Sequence, residues 1–202
     1  QLIPPSKIDF FSPNNTSDGM LKKAWIIESN KRVLVKSSYK GSQLEPFNEV
    51  LASKISDILD LSHVNYTLDF INNASVSKCE CFIEPNTELI TAYSILKYYN
   101  IDNNQKANKI YEDYLQILEK NHIQNAKEKL AKMFILDYLM VNQDRHLGNF
   151  GIIRNVETLE WIDIAPNFDN GQSLYSQNIS YFSDFNYPKG KFFYDNALSF
   201  DM

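Results

Sequence analysis

Along the first third of the chain, apolar and polar residues alternate in short runs; further on the apolar spacing lengthens to a helical one. Residues 23–28 and 32–36 read as two strands, joined by Ser29-Asn30-Lys31, a composition suited to a tight hairpin. Residues 46–61 place Val50, Leu51, Ile55, Ile58 and Leu59 at helical spacing behind Pro46, which suits a first turn, so a helix is predicted. A second strand pair is predicted over 65–71 and 76–83, turning through Asn72-Asn73-Ala74-Ser75. Glu84-Pro85-Asn86-Thr87 breaks the pattern, and three helices are predicted beyond it, over 88–99, 103–120 and 126–141. The third starts with charges and becomes apolar nearly all round, as a helix does when its C-terminal half is buried. Residues 150–154 and 159–164 read as a last strand pair. Residues 1–13, interrupted by Pro4-Pro5, read as a lead-in, and 175–202 show no clear period.

This order predicts an α+β chain in two lobes. Residues 1–84 supply an antiparallel sheet plus one helix, and 85–202 a mainly helical lobe, with the break at 84–87 as the hinge. A length of 202 residues and 44% hydrophobic content allow a packed core. Twenty basic against 25 acidic residues give a formal net charge of −5, which argues against a nucleic-acid binder but not against a nucleotide site needing a few local cations. Cys79 and Cys81 sit two apart on one predicted strand, too close along it to form a disulfide, and read as small apolar fillers. With no disulfide framework and no apolar run of roughly 18 residues, a cytoplasmic protein without membrane contact is expected. The first residue is Gln, so the natural protein is expected to begin further upstream.

The chemistry concentrates in Asp144-Arg145-His146-Leu147-Gly148-Asn149 and, some twenty residues on, Phe168-Asp169-Asn170-Gly171. An acid, an amide five positions later and a second acid beside a glycine are what phosphoryl transfer needs. Asp144 can accept or orient the proton of an attacking hydroxyl, and Asn149 and Asp169 can hold Mg²⁺ against the phosphates of ATP. Lys36 closes the apolar run Val33-Leu34-Val35 on the same strand face as Leu34, so it points partly inward and needs an acid partner. Glu49 on the following helix is the choice and Glu45 the alternative. Thr16, Ser17, Asp18 and Gly19 form a loop placed to cover phosphates, although glycine is sparse there. Backbone groups near Phe82 and Glu84 are placed to meet an adenine edge. His146 is read as bracing the loop beside the cofactor; His63 and His122 offer it no metal-ligand spacing. Arg145 is left between neutralising the loop's acids and contacting a phosphate.

These residues resemble the HipA-like serine/threonine kinases. The Asp-x-His-x-x-Asn loop of that family is matched by Asp144, His146 and Asn149, and its later metal-binding aspartate by Asp169. The stretches 17–25, 33–36 and 45–49 are similar to its N-lobe. The resemblance implies a bilobal protein-kinase-like fold and ATP- and Mg²⁺-dependent phosphorylation of a protein hydroxyl. It further implies an antitoxin partner of a toxin–antitoxin pair and autophosphorylation at Thr16 or Ser17. The phosphatidylinositol kinases share an Asp-Arg-His-x-x-Asn loop, but no basic amphipathic helix for an anionic membrane is evident. The sparse glycine loop and the short stretch after Leu174 leave a second reading: a pseudokinase or split-kinase module that docks a partner chain.

Overall fold

The structure is a computed structural model, and it describes residues 23–38, 43–102 and 105–176. The predicted loop 16–19 therefore lies outside the described residues.

The first sheet has four antiparallel strands: β1 (Lys23–Glu28), β2 (Lys31–Ser37), β3 (Tyr66–Ile71) and β4 (Ala74–Glu80), in spatial order β1-β2-β4-β3. Both hairpins turn on two residues with positive φ, Ser29-Asn30 and Asn72-Asn73. Such turns match the twist of the flanking strands, and Asn tolerates the left-handed region better than most residues. Alternation along β2 buries Val33 and Val35 on one face with Ile26, Ile71 and Val76. Leu34 and Lys36 take the other face, over which α1 (Glu45–Ile58) lies. Proline in the first turn starts α1, since a missing N–H costs nothing there.

Past the break, the structure departs from the predicted helix over 88–99. Thr87–Thr91 is a strand, β5, and only Ala92–Tyr98 is helical, α2. β5 is an edge strand of a three-stranded antiparallel sheet ordered β5-β6-β7, with β6 (Gly151–Asn155) and β7 (Trp161–Ile164). Periodicity did not separate the two states because Leu89 and Ile90 suit a short helix as well as a half-buried strand. Pairing with β6 decided the matter, and Thr91 then caps α2, its side chain accepting from Ser94 N. At this junction a Cβ on Gly151 would lie 2.0 Å from the Ile90 carbonyl oxygen, so only glycine admits the approach of β5 to β6.

Helices α3 (Ala107–Lys120) and α4 (Ala126–Met140) complete the fold. The largest core joins α2, α3, α4 and β6, with Leu96, Tyr114, Leu118, Leu130 and Ile152 almost wholly buried. Helix α4 ends where Val141 takes a left-handed conformation (φ 50°) and the Asn142 N–H closes back on the Asp137 carbonyl at 2.8 Å. A β-branched residue costs roughly 1–2 kcal/mol in that conformation, so the last turn before the Asp144 loop is held by its surroundings rather than by local preference. Cys79 is buried, Cys81 is partly so, and both are free thiols. Among the described residues no helix is long and apolar enough to cross a membrane.

Candidate active site

Lys36, on the α1-facing side of β2, is 4% exposed. Its ammonium donates to Glu49 Oε1 at 2.6 Å, to Asp169 Oδ1 at 2.7 Å and to the Tyr66 hydroxyl at 3.2 Å. All three of its donors are thus engaged. Glu49 lies one turn into α1, and its second oxygen accepts from the Asn170 backbone N–H at 2.8 Å. One carboxylate therefore ties the strand lysine to the loop that carries Asp169. Beside it, Asn48 Nδ2 donates to the carbonyls of Gly171 (2.9 Å) and Ser173 (2.6 Å). Glu45 packs its Cβ against Gly171, where an added methyl would sit 3.3 Å away, so Glu49 is the Lys36 partner.

The charges explain why this cluster can be buried. Desolvation works against the Lys36 ammonium, but Asp169 and Glu49 outweigh it and hold its pKa well above the ordinary lysine value. Burial pushes Asp169 upward too; Lys36, then Lys23 and Arg145, reverse this and hold it well below the usual carboxylate range. Glu49 is pushed up by burial, opposed by Lys36. Asp169 itself sits at φ 60°, a left-handed position that aspartate tolerates better than most side chains.

The Asp144 loop is built from local hydrogen bonds. Asn142 Oδ1 accepts from the Asp144 N–H at 3.0 Å, and the Asp144 carbonyl accepts from His146 N at 2.8 Å and Asn149 Nδ2 at 2.9 Å. His146 is exposed, and its Nδ1 accepts from the Gly148 N–H at 3.0 Å. With its amide nitrogen committed, Asn149 keeps its side-chain oxygen, which has no hydrogen-bond partner among the described residues. That oxygen and the ionised Asp169 carboxylate are the hard donors a small divalent cation prefers. Among the described residues no group of three His, Cys, Asp or Glu gathers to hold a metal, so phosphate and water oxygens would complete such a site.

Arg145 settles the relation between the two loops, and not by touching a phosphate. It is fully buried. Nε donates to Asp137 Oδ2 at 3.0 Å, and Nη1 donates to the carbonyls of Asn149 (2.8 Å) and Phe168 (2.6 Å). Nη2 donates to Asp137 Oδ1 at 3.1 Å and to Asn170 Oδ1. One planar, always-charged fork thus fastens the Asn149 loop to the Asp169 loop and anchors both to α4. The sequence held one signal for this: Asp137 is the lone acid in the apolar half of α4, where a charge needs a partner. Tyr66, Asn48 and Asn170 gave no such signal.

Near the break, the Phe82 ring stacks on that of Phe168 (centroids 5.5 Å apart, 28° between planes). The Glu84 carbonyl closes a turn by accepting from the Thr87 N–H (3.1 Å) and hydroxyl (2.8 Å). Phe82 therefore borders the Asp169 loop, whereas the Glu84 carbonyl is already occupied.

No family model matches the chain. It is 31% identical over 137 residues to serine/threonine-protein kinase CtkA of Helicobacter pylori (strain J99), an alignment covering 65% of this chain and 41% of that protein. The crystal structure of a Helicobacter pylori proinflammatory kinase CtkA superposes with a TM-score of 0.67 at 26% identity, covering 83% of this chain and 66% of that one. HipA, in the Shewanella oneidensis MR-1 toxin–antitoxin complex of HipA, HipB and operator DNA, shares the fold: TM-score 0.56 at 13% identity, covering 98% of this chain and 52% of that one. The chain thus spans less than half the length of its curated relative and about two thirds or less of each solved structure.

Proposed function

We propose that this chain, a relative of the HipA-like serine/threonine kinases in sequence and fold, transfers a phosphoryl group from ATP to a hydroxyl of a protein substrate with Mg²⁺ as cofactor. The observation that carries the reading is the Lys36 ammonium bonded to both Glu49 and Asp169, residues from α1 and from a loop 133 positions away. In this reading Lys36 positions the nucleotide phosphates and Glu49 fixes Lys36. Asp144 takes up the proton of the acceptor hydroxyl. Asn149 and Asp169 would hold Mg²⁺, which supplies charge neutralisation at the phosphates. Phe82 lines the adenine end. By analogy with the HipA complex, an antitoxin-type protein is the expected partner.

The test is incubation with labelled ATP and Mg²⁺ in a lysate, for the parent chain and for Asp144→Asn and Lys36→Met. A loss of about 10³-fold in either variant, equivalent to roughly 4 kcal/mol of barrier, is expected. Equal labelling by all three proteins refutes the assignment. One observation favours a docking module instead: every donor of Lys36 is already engaged by protein groups, so a phosphate has to displace one of them. Stabilisation by Mg-ATP of about 2.7 kcal/mol at 100 times Kd, without turnover, selects that reading.

A further inference from the structure

The Lys36 ammonium has three N–H donors, and three protein groups take them: Glu49, Asp169 and Tyr66. The proposed mechanism uses the first two and gives the third no part. Tyr66 opens β3 and is 4% exposed. It is fixed from two sides. Its backbone N–H donates to Ser53 Oγ of α1 at 3.0 Å. Across the β3–β4 ladder it faces Cys79, whose thiol is hydrogen-bonded to the Tyr66 hydroxyl. The Lys36 ammonium stands 5.1 Å from the centre of the Tyr66 ring.

A phosphate oxygen that reaches Lys36 displaces one of these three, and they differ in how readily they let go. Glu49 bonds at 2.6 Å, is 1% exposed, and among the described residues is otherwise held only by the Asn170 N–H. Releasing it strands a buried carboxylate, which is strongly unfavourable. Asp169 bonds at 2.7 Å through Oδ1 alone. Its Oδ2 has no hydrogen bond among the described residues, so Asp169 can meet a cation without leaving the ammonium. Both carboxylate bonds join two charged groups, the strong class of hydrogen bond. Tyr66 offers a neutral oxygen at 3.2 Å, the longest of the three contacts, and it keeps Cys79 when the ammonium turns away.

We propose that the Tyr66 hydroxyl is a placeholder for phosphate: it holds the third Lys36 N–H until a nucleotide phosphate oxygen takes that donor. Tyr66 is then a positioning residue that sets nucleotide affinity through Lys36, a role that rests on the kinase reading. The consequence has a definite sign. In the parent, binding breaks the Tyr66–Lys36 bond as the phosphate bond forms. In Tyr66→Phe the ring remains, but the third N–H is left unpaired in a buried place until nucleotide arrives, and an unpaired buried donor is costly. Removing this hydroxyl therefore tightens nucleotide binding, whereas a mere loosening of the site weakens it.

The experiment is calorimetric titration of the whole chain with a non-hydrolysable ATP analogue and Mg²⁺. It compares the parent, Tyr66→Phe, Lys36→Met and the double variant, each shown to be folded by circular dichroism. Tyr66→Phe is expected to bind roughly three- to tenfold more tightly than the parent, the worth of one hydrogen bond. Where that variant fails to fold, Tyr66→Met fills the space without an oxygen and carries the same expectation. Lys36→Met is expected to bind more weakly than the parent. Adding Tyr66→Phe to it is expected to change affinity by less than about twofold, because the gain runs through the ammonium. Equal or weaker binding in Tyr66→Phe overturns the proposal, since phosphate then takes the place of a carboxylate or leaves Lys36 alone. So does a gain that survives in the Lys36→Met background. A parent that binds no Mg-nucleotide up to about 10 mM removes the kinase reading, and this inference falls with it. A parent that binds while its Tyr66→Phe variant gains nothing overturns this inference alone.

Discussion

Arg145→Met tests whether a single buried guanidinium holds the two functional loops together. The substitution keeps much of the side chain's apolar length and removes every donor. It strands the Asp137 carboxylate, 6% exposed, with only the Asn142 amide at 2.8 Å as a remaining side-chain partner. Breaking a buried pair in this way costs about 3–5 kcal/mol. The carbonyls of Asn149 and Phe168 lose their donor as well, at about 1 kcal/mol or more each, while the side-chain oxygen of Asn170 keeps only the Asn167 amide at 3.2 Å. The total approaches the whole stability of an ordinary domain, roughly 5–15 kcal/mol, so the variant is expected to unfold at far lower urea than the parent. Adding Asp137→Asn removes the stranded charge, and about 3 kcal/mol should return, while the two orphaned carbonyls remain. Urea unfolding followed by circular dichroism on the parent, both single variants and the double variant gives the coupling energy. A loss below about 1 kcal/mol in Arg145→Met, or no recovery on adding Asp137→Asn, would show that the guanidinium does not join these loops.

Three further outcomes follow from the same contacts. Asp169→Asn keeps a residue that tolerates φ 60° but removes the charge facing Lys36; because the folded pKa of Asp169 is depressed, its contribution is full above the ordinary carboxylate range and disappears as pH falls through the folded value. The variant should be less stable than the parent by on the order of 2 kcal/mol at pH 7, with the two urea midpoints converging in acid; a gap that persists at low pH contradicts the ion-pair account. Gly151→Ala drives a methyl into the Ile90 carbonyl and within 2.8 Å of Thr91 Cα, so a loss of roughly 2–3 kcal/mol is expected in a thermal melt, and an unchanged midpoint would mean β5 does not approach β6 so closely. Asn48→Ala removes the side-chain donor that ties α1 to the Gly171 and Ser173 carbonyls, which keep only the Ser176 hydroxyl (3.3 Å) and the Ser176 N–H (3.0 Å), and is expected to cost about 1 kcal/mol, with proteolysis near residue 172 as the readout of a loosened loop.

Legibility differed sharply from one site residue to the next. Lys36 was readable because a lysine closing an apolar strand on its inward face demands a partner, and Glu49 because helical spacing put an acid within reach. Asp144, Asn149 and Asp169 were candidates from their order and spacing, and the structure adds that Asp169 meets Lys36 and that the Asn149 amide bonds the Asp144 carbonyl. Arg145 was not: the same letter serves for a phosphate contact, a surface charge or a buried bolt, and only the packing of α4 behind the loop selects the last. The strand at Thr87–Thr91 was missed for a related reason, since five residues carry too little periodicity to outvote the helix that follows.

Local elements with strong periods, the Asn-based hairpin turns, and the residue types available for phosphoryl chemistry all follow from the order of amino acids. These depend on neighbours a few positions apart, and such information is written directly in the chain. Packing decided that β5 pairs with β6 and that Arg145 joins two loops through Asp137. Each of these is a contact between residues distant in the text, chosen by burial and by the need to pair every buried charge and donor, and no local pattern records it.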